Sequence, residues 1–198
     1  MNIYLSETEY AVSSLIDLIR NEEIALEKLS SSLSLLIKQQ PYLYNDFLSK
    51  DLDPDDNFNE HHTMHAFSKQ AANTVSIKNT EVEIEKLKAS ISSKEESIKA
   101  LSGALLQIAK QGISIVHGKL DPCPDGRYIN NEPIKNIIWQ ARNQSLHYEE
   151  GSHRAAVTNC FANLGITLNG DNLAKEIIDL LGWTTYQNYK TDLISLLG

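Results

Sequence analysis

Three polar residues near the end of one helical stretch carry the clearest chemical pattern in the sequence. Arg142 and Asn143 are adjacent, and His147 follows them. Histidine suits proton transfer near neutral pH. Arginine offers a planar, permanently charged fork to a phosphate group. An amide can orient either of these groups. Together the three side chains have the chemistry that the cleavage of a phosphodiester without a metal ion needs.

Helical geometry constrains how these residues can meet. At about 100° per residue, Asn143 and His147 lie about 40° apart on one face. Arg142 and His147 lie about 140° apart, so a straight helix would splay this pair. Long side chains, a distorted helix or a symmetric second copy of the chain could each bring them together, and the sequence leaves these alternatives open.

Each residue also has an ordinary structural interpretation. His147 could simply favour the negative end of the helix dipole. Arg142 could pair with Glu149 or Glu150 in a surface contact of little energetic weight. Between 132 and 154, acidic and basic residues balance: Glu132, Glu149 and Glu150 against Lys135, Arg142 and Arg154. The sequence therefore predicts no broad basic patch, and any RNA would be bound weakly, at a local site.

The stretch 131–151 that carries the motif is predicted to form one helix. Asn131 is its expected cap, Pro133 occupies the first turn, and Gly151 is its expected end. The first half is apolar, and Trp139 is interpreted there as a core or interface residue rather than a base-stacking one.

Two long helices are predicted ahead of this stretch. The first covers 6–39, with Ser6 and Glu9 in a capping-box pattern, and ends before Pro41. Residues 58–117 contain the second.

Within the second helix, 58–110 is predicted to be partly an extended, coiled-coil-like helix, with a break near 73–79. Its seam recurs every seven residues, at Ile77, Ile84, Ile91, Ile98 and Leu105. The partner of this seam is either the first helix, folded back antiparallel, or a second copy of the chain.

The fold class predicted from these patterns is all-α, a helical bundle with long N-terminal antiparallel helices in one domain over 1–198. No strand is predicted, and 118–131 is interpreted as a loop. Three short helices should follow the motif, over 153–165, 172–182 and 183–198. Ser152 is the expected cap of the first of them, and Asp171 is the expected start of the second.

Composition indicates a globular protein, with 41% hydrophobic and 22% charged residues in 198. The net charge of −8 argues against broad nucleic-acid binding. No run is apolar enough to span a membrane, and the first residues lack a signal-peptide pattern, so a cytoplasmic location is expected. Cys123 and Cys160 are then expected to be free thiols.

No metal ion or cofactor is expected. The acidic segment 51–57 lacks the glycine and the distal glutamate of an EF-hand loop. His61 and His65 lie one helical turn apart, which is compatible with metal binding, but only Glu60 is near enough to support it. A solvated loop and ordinary histidines are the favoured interpretations.

The motif of Arg142, Asn143 and His147 resembles the signature of the HEPN superfamily, and close resemblance covers about 135–165. The resemblance implies a metal-independent endoribonuclease, a toxin or anti-phage defence effector that cleaves RNA through attack by the 2′-hydroxyl. Arg142 would then stabilise the scissile phosphate, His147 would act as general acid or base, and Asn143 would orient them.

The resemblance also implies partners. It predicts a homodimer whose active site is composed from both copies, and it allows an antitoxin or regulatory protein. The alternative is a catalytically inactive HEPN-like scaffold that holds a protein partner with its heptad helices, and the acidic balance of the chain supports that alternative.

Overall fold

The computed structural model describes residues 2–51 and 60–198, and there the chain is predominantly helical. This confirms the predicted all-α fold class. The elements are α1 Ile3–Asp51, α2 Glu60–His117, β1 Tyr128–Ile129, β2 Glu132–Pro133, α3 Ile134–His147, α4 Ala155–Leu164, α5 Ala174–Leu181 and α6 Tyr186–Leu197. No helix in these ranges is long and apolar enough to cross a membrane.

The chain divides into two compact units. The first unit combines Met1–Glu23 with Glu96–Gly198, and the second unit is Ile24–Glu95. The first unit contains the ends of α1 and α2 and all the shorter elements. The prediction of one domain over 1–198 stays a prediction.

Helix α1 is longer at both ends than the predicted 6–39. Its cap is Asn2 rather than Ser6, because the Asn2 side chain accepts a hydrogen bond from the Tyr4 backbone N–H at 3.0 Å. The helix also continues through Pro41. Proline removes one helical hydrogen bond, and nearby the Gln40 side chain is held by Glu81 of α2 at 3.3 Å.

Helix α2 runs without interruption, so the predicted break near 73–79 was wrong. Just after this segment, the Thr80 hydroxyl donates a hydrogen bond to the Ser76 carbonyl one turn earlier, a contact that a continuous helix allows. The seam residues Ile84, Ile98 and Leu105 are buried, as the heptad pattern predicts. The Tyr4 hydroxyl of α1 donates to the Ile108 carbonyl at 2.7 Å, so α1 of the same chain contacts α2.

The side chains of both segments considered as metal sites, 51–57 and 61–65, lie outside the described part of the structure. Within the acidic segment 51–57, residues 52–57 lie outside the described ranges, as do the side chains of His61, His62 and His65. Among the described residues, no group of three potential metal-binding side chains occurs.

Helix α3 is the central element of the first unit. Ile134, Ile137, Ile138 and Ala141 are completely buried, and α3 packs against α4 and α5. Burial of each isoleucine contributes about 1.5–3 kcal/mol relative to exposure. This packing fixes the buried face of α3, which also includes Gln144, and leaves Arg142, Asn143 and His147 at least partly accessible.

A short β-hairpin with a two-residue turn precedes α3, where only a loop was predicted. Asn130 and Asn131 both have positive φ, 48° and 67°, as the tight turn of a β-hairpin requires. Ile129 therefore pairs with Glu132. Helix α3 begins at Ile134, so Asn131 is a turn residue and not its cap.

The buried carboxylate of Glu132 connects the start of α3 to α4. It accepts hydrogen bonds from Asn136 at 2.8 Å and from Asn163 at 2.6 Å. Cys160 of α4 is a buried free thiol. Burial, with the negative charge of Glu132, raises the pKa of this thiol to about 12.

The short helices begin later than predicted and end where predicted. Helix α4 begins at Ala155 rather than just after Ser152, and α5 begins at Ala174 rather than at Asp171. Gly165 and Gly182 end them in left-handed conformation. The loop before α5 is three residues longer than predicted, because the Asn172 side chain accepts a hydrogen bond from the Ala174 N–H at 3.0 Å.

Replacing Tyr189 of α6 with phenylalanine should leave the free energy of unfolding unchanged or raise it by about 1 kcal/mol. The Tyr189 ring lies 4.8 Å from Trp183 in an edge-to-face contact. Its buried hydroxyl has no hydrogen-bond partner among the described residues, and burial raises its pKa. Removing this oxygen therefore removes a polar group that loses its hydration on folding and gains no hydrogen bond in return.

Urea unfolding of both proteins measures this difference. The matched control is Tyr4→Phe, which removes a hydroxyl that does have an acceptor and should lower stability by about 1 kcal/mol. A loss for Tyr189→Phe as large as that for the control would contradict the prediction.

Candidate functional site

The three residues singled out by the sequence line one pocket in a single chain. The pocket has a volume of 260 Å³ and lies where the end of α3 faces the start of α4. It is lined by Arg142, Asn143, His147, Glu150, Ser152, His153, Arg154 and Val157. Arg142 and Asn143 are half-buried, whereas His147 is exposed.

A distortion of the helix end accompanies this arrangement. His147 is the last residue of α3, and its backbone has φ −126° and ψ 20°, far from helical values. The chain then forms a 3₁₀ turn over Tyr148–Glu150 and reverses at Gly151, with φ 68°. The distortion turns the chain that follows His147 and brings Glu150, His153 and Arg154 to the pocket. Residues 142–147 are themselves part of α3, so the three alternatives for bringing Arg142 and His147 together stay open.

A carboxylate fixes the imidazole of His147. Its Nδ1 lies 2.5 Å from Oε1 of Glu150. A carboxylate can only accept, so Nδ1 carries the proton, and Nε2 of the neutral ring is the nitrogen left to exchange a proton. Both side chains are more than half exposed, so this pair orients the ring more than it stabilises the fold.

Arg142 is oriented by amides and not by an acid. Its Nε donates to Gln107 of α2 at 2.5 Å, and its Nη1 donates to Asn143 at 3.5 Å. Within the described part of the chain, no carboxylate forms an ion pair with it. The surface pair with Glu149 or Glu150 is absent, because Glu149 instead accepts from the Tyr148 hydroxyl at 2.9 Å.

The charge of the pocket lining differs from that of the segment 132–154, in which acidic and basic residues balance. Glu132 is buried behind α3, and Lys135 is bound to Asp125 at 2.7 Å. The pocket lining keeps two arginines and two histidines but only one carboxylate, that of Glu150. A phosphate group would therefore meet a positive surface in a protein whose net charge is −8.

Gln144 anchors the half of α3 that carries the site. It is completely buried, donates to the Asp171 carbonyl at 2.6 Å and accepts from the Leu173 N–H at 3.1 Å. A single side chain thus ties α3 to the segment before α5. This contact holds the backbone of Arg142 and Asn143 in place.

Three residues in or next to the pocket were not predicted from the sequence to belong to the site. His153 and Arg154 follow the reversal at Gly151, and only the prediction of a turn there could have placed them facing α3. Gln107 lies 35 residues before Arg142. No local pattern marks it, because its role comes from the packing of α2 on α3.

Replacing Glu150 with alanine should change the protonation pattern of the His147 ring. With Glu150 present, the neutral ring should carry its proton on Nδ1, and without it both tautomers should be populated. The ¹⁵N chemical shifts of the two ring nitrogens report this directly. The control is Glu149→Ala, which removes the neighbouring carboxylate that binds Tyr148. Unchanged ring shifts in Glu150→Ala would show that Glu150 does not position His147.

Comparison with protein-family models, with curated proteins and with solved structures finds no match to this chain.

Proposed function

We propose that this protein is a metal-independent endoribonuclease of HEPN type that acts as a toxin or an anti-phage defence effector. The observation that carries the proposal is the pocket that Arg142, Asn143 and His147 of one chain line together. The resemblance of this motif to the HEPN signature supplies the substrate class, and we place the protein in the cytoplasm with that substrate.

The proposed reaction follows from the groups in the pocket. The 2′-oxygen of a ribose attacks the adjacent phosphorus, and the bond from phosphorus to the 5′-oxygen breaks. His147 accepts the proton of the 2′-hydroxyl at Nε2, or its protonated ring donates one from Nε2 to the leaving 5′-oxygen, and water makes the other of these two proton transfers. The products are a 2′,3′-cyclic phosphate and a 5′-hydroxyl.

Charge on the phosphate increases during this reaction, and Arg142 would stabilise it. Among the described residues no carboxylate pairs with the guanidinium, so its charge is available to the phosphate. Asn143 would keep the guanidinium oriented from 3.5 Å. A group positioned before the reaction costs little reorganisation during it.

We further propose a homodimer in which the second copy brings another arginine and histidine to the same RNA. Leu146, next to His147 in sequence, is 57% exposed. An apolar side chain beside the pocket would gain from burial against another protein surface. An antitoxin or regulatory protein could cover the same surface when a second copy does not.

Cleavage in a metal chelator tests the proposal. Purified protein should cut single-stranded RNA and leave DNA of the same sequence intact, because DNA lacks the 2′-hydroxyl. Equal cleavage of both strands would contradict the mechanism, and intact RNA would contradict the function.

A scaffold function is the second candidate. Val75 and Val82 of α2 are one heptad apart and are 58% and 49% exposed, so an apolar stripe is open to a protein partner. This candidate gains if the chelated protein leaves RNA uncut.

A further inference from the structure

Lys110 and Trp139 form a cation–aromatic pair beside the pocket. Lys110 lies one turn beyond Gln107 on α2, and Trp139 lies one turn before Arg142 on α3. The Lys110 ammonium is 4.4 Å from the centre of the Trp139 ring. Both side chains are half-buried. The pair therefore extends the surface that begins at Arg142, on the side away from His147.

No carboxylate of the described residues forms an ion pair with Lys110. The pKa of Lys110 is lowered, first by its partial burial and second by the positive charge of Arg142. Neither cation forms an ion pair within the described ranges. Other lysines of the first unit do pair with carboxylates: Lys99 with Glu96, Lys135 with Asp125 and Lys175 with Asp179.

Two like charges held close together are unfavourable unless an anion joins them. A bound phosphate would remove this repulsion and favour the charged form of Lys110. The neighbouring indole adds a surface suited to a nucleobase, since single strands are commonly held by cations along the backbone and aromatic rings against the bases.

The pair is also correctly placed along the helix. Trp139, Asn143 and His147 are spaced four residues apart, so they follow one face of α3. Trp139 and His147 are separated by about 12 Å along the axis. A strand with one phosphate at Arg142 would therefore pass Lys110 and Trp139 as it continues along α3.

We propose that Lys110 and Trp139 form a subsite for the nucleotide next to the scissile phosphate of single-stranded RNA. Lys110 binds the backbone phosphate, and the open part of the Trp139 ring contacts the base. This subsite rests on the proposed ribonuclease function for the identity of its ligand, and it concerns binding and not the chemical step.

The test uses an RNA that cannot be cut. A short single-stranded RNA with every 2′-oxygen methylated is titrated with the full-length protein, and fluorescence anisotropy is followed over a range of salt concentrations. Lys110→Gln should weaken binding about tenfold and lower the salt slope by about 1. Lys110→Arg keeps the charge and should bind as the native protein does.

Lys190→Gln is the matched control. Lys190 lies 5.5 Å from the centre of the Tyr186 ring on α6, so it is another lysine paired with an aromatic ring and lies outside the pocket. Its replacement should leave both the affinity and the salt slope unchanged. Thermal unfolding of each variant should be that of the native protein, which separates a binding effect from a folding defect.

The outcomes separate this subsite from the proposed function. Equal affinity and slope for Lys110→Gln and the native protein overturn the subsite, as does the absence of any binding. Inorganic phosphate that binds as tightly as the oligonucleotide also overturns it, because a simple anion site would then suffice. Lys110-dependent binding by a protein that cuts no RNA supports the subsite and removes only the ribonuclease proposal.

Discussion

Replacing His147 with alanine should slow RNA cleavage by about 10²- to 10⁴-fold, the contribution typical of a general acid or base. The imidazole is the group in the pocket that is both oriented by a carboxylate, at 2.5 Å from Glu150, and suited to proton transfer near neutral pH. Its side chain is about half exposed, so its removal should cost little stability. Initial rates in a metal chelator measure the effect, and circular dichroism checks the fold.

Two controls sharpen this prediction. His153→Ala removes another histidine of the same pocket and should lower the rate much less, because the proposed proton transfer does not use it. Arg142→Ala should also slow cleavage strongly, whereas Arg20→Ala, at an exposed arginine of α1 outside this pocket, should leave the rate unchanged. Native rates in His147→Ala would remove this residue from the mechanism.

Replacing Asp192 with alanine should lower the free energy of unfolding by about 2–4 kcal/mol. Asp192 is buried on α6 and accepts from Arg127 at 2.7 Å and 2.9 Å and from the Trp183 indole N–H at 2.8 Å. The variant would leave the buried indole N–H unpaired and release α6 from the loop before α3.

The size of this loss depends on exposure. Arg127 is 46% exposed, so water screens the ion pair, and most of the expected loss comes from the buried indole and the lost packing. The control is Asp179→Ala, where an exposed carboxylate pairs with Lys175 and the loss should stay below about 1 kcal/mol. Urea unfolding compares the two, and equal losses would contradict the importance of the Asp192 cluster.

Local patterns predicted the parts of the fold that local physics determines. Gly165 and Gly182 end their helices because the left-handed conformation there suits glycine. The heptad seam predicted burial at Ile84 and Ile98 because spacing defines a helix face. The continuation of α1 through Pro41 was missed, since proline propensity alone predicts an end.

The hairpin and the full set of site residues required more than local patterns. Asn130 and Asn131 are turn residues of a familiar kind, but the strands beside them have only two residues each and carry no alternating pattern. The motif of Arg142 and His147 was visible in the sequence. Its partner Gln107 was not, because that contact depends on how α2 packs against α3.

The electrostatic character of the site also could not be read from composition. The segment around the motif is balanced in sequence, yet of its three acidic residues Glu150 alone lines the pocket, beside Arg142 and Arg154. Folding therefore separates charges that are neighbours along the chain. The result is a positive pocket in an acidic protein.

The chemical ends of the cleaved RNA test the central claim most directly. RNA cut by the native protein in a metal chelator should carry 2′,3′-cyclic phosphate and 5′-hydroxyl ends, and His147→Ala should form these fragments at least about 100-fold more slowly under the same conditions. Fragments with 3′-hydroxyl and 5′-phosphate ends, or cyclic phosphate products formed by His147→Ala at the native rate, would contradict a site in which His147 transfers the proton and the 2′-hydroxyl attacks.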